Sequence, residues 1–190
     1  MKRDIEATRS ALLSAAKELM TSCDDVDTVT SRAITSRAGV NLAMINYCFG
    51  SREALLYEVF RQLLSDAQRA DTELAGLMSA GISARERIIL IHCRMMRLMI
   101  ANFSYAKAAT KFILLNRTSD EELGILPLVE EHFAGRRSRD ECRLIAFELT
   151  SLHELAVLRH AELKKICGTD LTDDSALERY VRESAARYLD

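Results

Sequence analysis

The chain has 190 residues, a net charge of −2, 48% apolar residues and a single proline. This length suits one domain or a small domain fused to a larger one, and the apolar share can fill a core. No apolar run approaches the length of a membrane span, and the charged amino terminus lacks a signal peptide's apolar segment. Five scattered cysteines without a Cys-x-x-Cys pair argue against a disulfide framework or zinc knuckle. We therefore expect a cytoplasmic protein with no membrane partner.

The first predicted helix covers residues 4 to about 22. Apolar residues recur there at three- and four-residue spacing, which is typical of a helix with one buried face. They are Ile5, Leu12, Ala16, Leu19 and Met20. The acidic segment 23–27 then predicts a turn that leads to Thr30.

Residues 30–52 predict a helix-turn-helix. Thr30 can cap a first short helix, because its hydroxyl accepts a free N–H of the first turn. Gly39 supplies the left-handed backbone that a tight turn needs, and Asn41 suits the cap of a second helix over residues 42–48. A supporting helix, a glycine turn and a second helix that is free to enter a major groove together make this motif.

Charge within the same stretch favours contact with phosphate. Residues 28–52 contain three arginines and no acidic residue, in a chain that is slightly acidic overall. A surface that approaches nucleic acid gains from this distribution, since every local carboxylate would oppose binding. The alternative is an ordinary helical hairpin with solvated arginines, because helix-turn-helix patterns also arise by chance.

Beyond Arg52, apolar periodicity predicts a long fourth helix to about residue 75, followed by a weak region between Gly76 and Gly81. Four Ser-x-x-Glu capping boxes then predict four helix starts, since the serine accepts the third helical N–H while the glutamate reaches back. The boxes begin at Ser83, Ser119, Ser138 and Ser175. The run that follows Ser83 is too long for one compact helix, so we expect a break near residues 102–104.

A helix is expected over residues 127–135 and a last one over about 173–189. No segment alternates with the two-residue period of a strand over a useful length. The sequence therefore predicts an all-α fold. We expect an amino-terminal three-helix domain with the helix-turn-helix over residues 1–51 and a larger helical ligand-binding and dimerisation domain over 52–190, with the helix over 52–75 connecting them.

Residues 142–167 are predicted as one long helix that is apolar nearly all round. Such a helix is either central to a core or shared with another subunit. A two-fold dimer would also space two recognition helices by about one DNA turn, as a palindromic site requires. Core burial is the alternative role. The candidate dimer-interface residues are Leu152, Leu155, Leu158, Leu177, Val181 and Tyr188.

Four different short motifs lie within the first sixty residues. They lie at residues 12–16, 30–34, 38–41 and 45–55. Together they resemble the amino-terminal domain of TetR-family transcriptional regulators. The resemblance implies an all-helical homodimer that binds a double-stranded DNA operator, with a divergent carboxy-terminal domain for a small-molecule effector. It favours a repressor that releases a palindromic operator when the effector binds.

By this resemblance, Arg32 reaches a base edge from the supporting helix, where guanidinium suits the two acceptors of guanine. Arg52 matches a phosphate-binding lysine at the start of the fourth helix. Asn46 stands where the family commonly has a phosphate-contacting tyrosine, and Cys48 replaces a frequent histidine, so operator sequence and affinity stay open. The candidate DNA-contacting residues are Thr30, Ser31, Arg32, Asn41, Leu42, Ala43, Met44, Asn46, Tyr47, Ser51 and Arg52.

The resemblance also implies an effector pocket among the helices from residue 83 to about 167. Methionines adapt to irregular shapes and suit an apolar pocket, although core filling is the alternative role for each residue. The candidate lining residues are His92, Met95, Met96, Met99, Phe103, Phe112 and His153. No cofactor is expected beyond this unidentified effector. No metal site is predicted either, because His153 and His160 share a helix face without a further ligand at a convincing spacing.

Two other classes of function stand beside a DNA-binding regulator. An enzyme is not expected, since the chain has no glycine-rich phosphate loop, nucleophile elbow or zincin motif. His92 and Cys93 do not form a nucleophile pair, because adjacent helical residues point in different directions. A helical dimer that has lost specific DNA binding and acts through protein contacts is the other alternative, which the changes at Asn46 and Cys48 keep open.

Overall fold

A computed structural model of the chain describes residues 2–23, 25–70, 72, 76, 81–116 and 124–190. In these ranges all regular structure is helical, with ten α-helices, one 3-10 helix and no strand. The predicted all-α fold is confirmed. None of the described helices combines the length and apolarity needed to cross a membrane.

The α-helices are numbered here in chain order. They are α1 (Lys2–Ser22), α2 (Ser31–Ala38), α3 (Ala43–Phe49), α4 (Arg52–Ala70), α5 (Ala84–Ala101), α6 (Phe103–Asn116), α7 (Leu126–Phe133), α8 (Arg139–Leu158), α9 (His160–Cys167) and α10 (Asp174–Leu189). A 3-10 turn (Val26–Thr28) lies between α1 and α2.

Two of the predicted capping boxes differ in completeness. At α8 the box is complete: the Ser138 hydroxyl accepts from the Glu141 N–H at 3.2 Å, and the Glu141 carboxylate accepts from the Ser138 N–H at 2.8 Å. At α5, Ser83 accepts from the Glu86 N–H at 3.2 Å. The Glu86 carboxylate does not return the bond, because it binds Arg182 at 2.6 and 3.0 Å.

The box predicted at Ser175 is wrong. Asp173 caps α10 instead, and its carboxylate accepts from the Ala176 N–H at 2.8 Å. Both residues have good capping chemistry, and the aspartate stands two positions earlier, where the extended backbone enters the helix. The box predicted at Ser119 lies outside the described residues.

Of two predictions about where long helices end, one is confirmed and one is wrong. The break expected near residue 102 is confirmed, since α5 ends at Ala101 and α6 begins at Phe103. The single helix predicted over 142–167 is wrong, because a turn at Arg159 separates α8 from α9. At this turn the Val157 carbonyl accepts from the Arg159 N–H, and a ring nitrogen of His160 lies 2.9 Å from the same oxygen.

The chain divides into two compact units. The first contains Met1–Ala67 and Asn102–Asn116, and the second contains Gln68–Ala101 and Arg117–Asp190. The first unit extends past residue 51, the predicted domain boundary, because the amino-terminal half of α4 packs in the same core as α1 to α3. The division of DNA-binding and ligand-binding roles between domains stays a prediction.

The core of the first unit holds the helix-turn-helix in place. Buried apolar side chains come from α1, the 3-10 turn, α2, α3 and α4, and include Leu12, Met20, Val26, Ile34, Ile45, Leu55 and Val59. Helix α6 adds two hydrogen bonds at its edge. The Tyr105 hydroxyl donates to the Met20 carbonyl at 2.5 Å, and the Ser104 hydroxyl accepts from the Val26 N–H at 2.9 Å. These bonds position the end of α1 and the turn that precedes α2.

The second unit is built around α5, with α7, α8 and α10 packed against it. Its core includes Ile88, Ile89, Met96, Val129, Leu149, Val157, Leu177, Val181 and Leu189. At the rim, the guanidinium of Arg182 on α10 makes its two bonds to Glu86 on α5. This hydrogen-bonded pairing holds the pKa of the Glu86 carboxyl below its ordinary value.

Candidate functional site

The predicted helix-turn-helix is formed by α2 and α3. The Thr30 hydroxyl accepts from the Ala33 N–H at 3.2 Å and caps α2. Gly39 adopts a φ of +66°, the left-handed conformation that ends the helix at little steric cost. At the start of α3, the Asn41 side chain accepts from the Ala43 N–H at 2.9 Å. The predicted order of helix, glycine turn and helix is therefore present, but the predicted cap is wrong by one position, because Leu42 occupies the N-cap of α3 and makes no side-chain capping bond.

Helix α3 is anchored on one side and exposed on the other. Ile45 is buried in the core of the first unit. We call the exposed set the α3 face; it consists of Asn41, Leu42, Ala43, Asn46 and Tyr47. Tyr47 is 66% exposed, a large fraction for an aromatic side chain. The α3 face offers two amides, a phenol and two apolar side chains, and it carries no charge.

The remaining predicted contact residues also have structural roles. Met44 is half-buried and packs against the core of the first unit. Ser51 caps α4, because its hydroxyl accepts from the Ala54 N–H at 3.0 Å. Ser31 is half-buried in the first turn of α2, and its carbonyl accepts from the Thr35 hydroxyl at 2.9 Å. Any contact these residues make with a partner is additional to these roles.

The three arginines of this stretch have different partners. Arg37 binds Glu18 through two guanidinium nitrogens, at 2.9 and 2.6 Å. Arg52 binds backbone carbonyls. The guanidinium of Arg32, exposed on α2, has no hydrogen bond or ion pair to any residue that the structure describes. Its five N–H donors are therefore available to a partner.

Arg52 departs most from its predicted role. Its Nε donates to the Val29 carbonyl at 2.6 Å, and its Nη2 donates to the carbonyls of Val26 at 3.0 Å and Asp27 at 3.4 Å. Nη1 lies 3.3 Å from the Glu53 carboxylate, and the side chain is only 21% exposed. These bonds satisfy carbonyls of the turn that leads into α2. We therefore assign Arg52 a positioning role, and a phosphate contact through its remaining N–H stays a prediction.

In the second unit, two predicted pocket residues meet in the interior. His92 on α5 is 1% exposed and His153 on α8 is 0% exposed. Their ring centroids lie 4.5 Å apart and their planes cross at 68°. The Tyr180 ring on α10 lies 6.0 Å from His153. Met96 and Met99, on the same helix as His92, are buried as well.

Hydrogen-bond partners determine which nitrogen of each ring carries a proton. His92 Nδ1 lies 3.0 Å from the Ile88 carbonyl, which only accepts, so Nδ1 is the donor. The Ser184 hydroxyl donates to the Val181 carbonyl at 2.9 Å. His153 Nε2, 2.6 Å from the Ser184 oxygen, must then donate to it. Both rings are neutral, because burial lowers the pKa of His92 to about 4 and that of His153 to about 2.

Ser184 was missed by the sequence analysis. It lies on the buried face of α10 beside Val181 and Ala185, and all three are at most 1% exposed. A serine at core spacing was the available signal. Its partner His153 is 31 residues away on another helix, so no spacing rule indicates the pair.

The other predicted pocket residues do not all belong to the second unit. Met95 is half-buried on α5. Phe103 and Phe112 lie on α6 in the first unit, where the Phe112 ring packs 5.5 Å from that of Tyr57. The candidate ligand site is therefore restricted to the histidine pair and its neighbours in the second unit.

Burial counts against two of the predicted dimer-interface residues. Leu177 is 1% exposed and Val181 is 0% exposed, because this face of α10 packs against α5 and α8 of the same chain. A fully buried side chain has no surface to offer a second copy. The other predicted interface residues retain surface: Leu155 is exposed, and Leu152, Leu158 and Tyr188 are half-buried.

Helix α8 carries an exposed apolar surface. Leu144, Phe147 and Leu155 are all exposed, and their spacing places them along one side of the helix. We call these three residues the α8 stripe. Clustered exposed apolar side chains mark interaction surfaces more often than single ones do. Leu144 and Phe147 extend the set predicted for dimerisation toward the start of α8.

Within the described ranges, no three His, Cys, Asp or Glu side chains are grouped so that they would hold a metal ion. All five cysteines are free thiols.

No protein-family model matches the chain, and no curated protein is significantly similar to it. A functional assignment therefore rests on the residues and their geometry.

Proposed function

We propose that the chain is a dimeric, sequence-specific DNA-binding transcriptional regulator, acting as a repressor that a small molecule releases from a palindromic operator. The observation that carries the proposal is the α3 face beside Arg32. A short helix after a glycine turn exposes two amides and an aromatic ring, and the supporting helix adds an uncommitted guanidinium. This combination suits a major groove, where donors, acceptors and methyl groups are read together.

Each group on this surface has a defined chemistry toward a base pair. The Arg32 guanidinium fits the two acceptors of guanine, and the amides of Asn41 and Asn46 fit the acceptor and donor of adenine. Leu42 and Ala43 offer apolar contact to a thymine methyl group. The absence of carboxylates from residues 28–52 removes local repulsion of phosphate.

A second copy of the chain is the proposed partner at the α8 stripe. A two-fold interface brings the same patch of both subunits together, so an apolar surface such as Leu144, Phe147 and Leu155 pairs with itself. Two copies would then present two α3 helices, which matches the symmetry of a palindromic operator.

Selection of the purified chain on a random DNA duplex library at moderate salt should enrich a palindrome. We expect half-site centres about one helical turn, roughly 34 Å, apart. General, salt-sensitive binding without enrichment would contradict sequence-specific reading. That result would favour the second candidate function, a helical dimer that acts through protein contacts. The exposed Leu42 and Tyr47 also suit a contact with another protein.

Replacing Arg32 by alanine should weaken operator binding by about 1–3 kcal/mol and relax selectivity at one base pair per half-site. The reason is the loss of a bidentate contact to a base edge. Fluorescence anisotropy on the selected duplex and on single-base variants measures both effects. Arg37→Ala is the matched control, because it removes the same charge from the same helix but breaks an ion pair with Glu18. Equal, sequence-independent losses from both substitutions would remove Arg32 from the reading role.

A further inference from the structure

We propose that the effector is an uncharged, largely apolar small molecule that donates N–H or O–H hydrogen bonds to the buried imidazoles of His92 and His153. The statement that this molecule is the effector rests on the proposed function. The statement that the two histidines bind such a molecule does not, because both belong to the second unit and the binding can be tested without DNA.

Two buried acceptors carry this proposal. His92 uses Nδ1 on Ile88, and His153 uses Nε2 on Ser184, so each neutral ring keeps one lone pair. These lone pairs are on His92 Nε2 and His153 Nδ1. Both atoms are buried and have no hydrogen-bond partner in the part of the chain that the structure describes.

Core packing alone does not explain why histidines with unpaired ring nitrogens occupy these two buried positions. Buried polar atoms are nearly always hydrogen-bonded, since leaving one without a partner costs free energy. Phenylalanine at positions 92 and 153 would keep the ring contact and avoid that cost. Two such atoms on neighbouring rings, brought together from α5 and α8, indicate a site whose hydrogen bonds are completed by another molecule.

The chemistry of the two rings restricts the ligand. A lone pair accepts from N–H or O–H and repels the oxygens of a carboxylate or phosphate. The rings supply no positive charge either, because burial keeps both neutral. Met96 and Met99, buried on α5, offer adaptable apolar contacts. Amides, phenols and alcohols with an apolar body therefore fit, and anions do not.

Matched probes test the donor requirement on the full-length protein without DNA. We would compare benzamide with N,N-dimethylbenzamide and benzoate, phenol with anisole, and cyclohexanol with its methyl ether. The readout is the ring-nitrogen resonances of ¹⁵N-histidine-labelled protein. We expect benzamide, which has two N–H donors, to shift the unprotonated nitrogens of both His92 and His153, and phenol and cyclohexanol, which have one O–H donor each, to shift at least one of them. Each hydrogen bond lost to a donor-free analogue should weaken binding by roughly 2- to 10-fold.

The same spectra contain the outcomes that would overturn the proposal. If no pair shows a donor preference, if benzoate binds best, or if the two ring nitrogens respond to no probe, the histidines do not form this site. A structural water that completes both lone pairs would produce the last result.

Substitutions at the pair separate ligand contact from folding. His92→Phe keeps a ring in place and should reduce the donor preference to the part that His153 Nδ1 supports, whereas His92→Gln returns an acceptor near the position of Nε2 and should restore some of the loss. His132→Phe is the control, since this half-buried histidine bonds the Leu189 carbonyl outside the pair. Circular dichroism checks that each variant folds. The wild-type spectra decide the proposal even if a variant does not fold.

Failure here and failure of the proposed function give different results. Donor-selective binding without enrichment of a DNA site would support the ligand site and contradict the proposed regulatory function. Enrichment of a palindromic operator without any response of the histidine nitrogens would support the regulatory function and contradict the ligand site. When both hold, the best-binding probe should weaken operator binding more in the wild type than in His92→Phe.

Discussion

Acidification from pH 6.5 to 4.5 should lower the free energy of unfolding by roughly 4 kcal/mol. The cause is the histidine pair, whose burial lowers the pKa of His92 to about 4 and that of His153 to about 2. Unfolded histidine has its ordinary pKa near 6.5, so the unfolded chain takes up protons in this window while the folded chain does not. Stability rises with pH wherever the unfolded state binds more protons, and it is therefore lost as the pH falls.

Urea unfolding at pH 6.5, 5.5 and 4.5 measures this slope. The double variant His92→Phe/His153→Phe is the matched control and should show a much flatter dependence over the same window. Arg182 holds the pKa of the Glu86 carboxyl below its ordinary value. The stability that this pairing contributes is lost as the pH falls below that ordinary value, and the loss is common to both proteins. Equal slopes for the wild type and the double variant would contradict two buried neutral histidines.

Replacing Arg52 by alanine should destabilise the first unit by about 2–3 kcal/mol. The substitution removes a charged donor from the carbonyls of Val26 and Val29, which lie at the turn before α2. Arg52→Lys should recover little of this loss, because an ammonium cannot reproduce the planar set of donors that spans these carbonyls. Chemical unfolding of the three proteins at one pH gives the ranking.

DNA binding by the same variants separates positioning from phosphate contact. Arg37→Ala is the stability control and should cost only about 0.2–1 kcal/mol, because its ion pair with Glu18 is exposed. If Arg52 positions the turn, both Arg52 variants lose operator affinity together with stability. Unchanged stability in Arg52→Ala, combined with a flatter salt dependence of binding and recovery in Arg52→Lys, would return Arg52 to the phosphate role.

Several local features were correctly predicted because their causes lie within a few residues. Thr30 caps α2 through the third residue after it, and Gly39 ends α2 through its own backbone conformation. The break between α5 and α6 and the complete box at Ser138 have equally local causes. Apolar periodicity likewise indicated helices throughout, and the all-α class follows from it.

Two helix boundaries in the second unit were predicted wrongly although the local sequence signals there were good. Asp173 and Ser175 both have capping chemistry, and the aspartate caps α10. The apolar pattern over residues 142–167 continues through Arg159, yet the helix breaks there. Periodicity indicates which side chains can be buried, but it does not indicate the change of backbone dihedrals that ends a helix, such as φ −113° and ψ 23° at Arg159.

By itself, the sequence determined the all-helical class, the glycine turn and the exposed helix that follows it, because these depend on bonds between near neighbours. Only the tertiary structure decided the partners of long side chains. Arg52 binds carbonyls 23 and 26 residues away, and His153 bonds Ser184 31 residues away. Burial of Leu177 and Val181 inside one chain was decided in the same way. The physical reason is that hydrogen-bond partners and desolvation depend on which helices pack together, and residue spacing along one helix does not specify that packing.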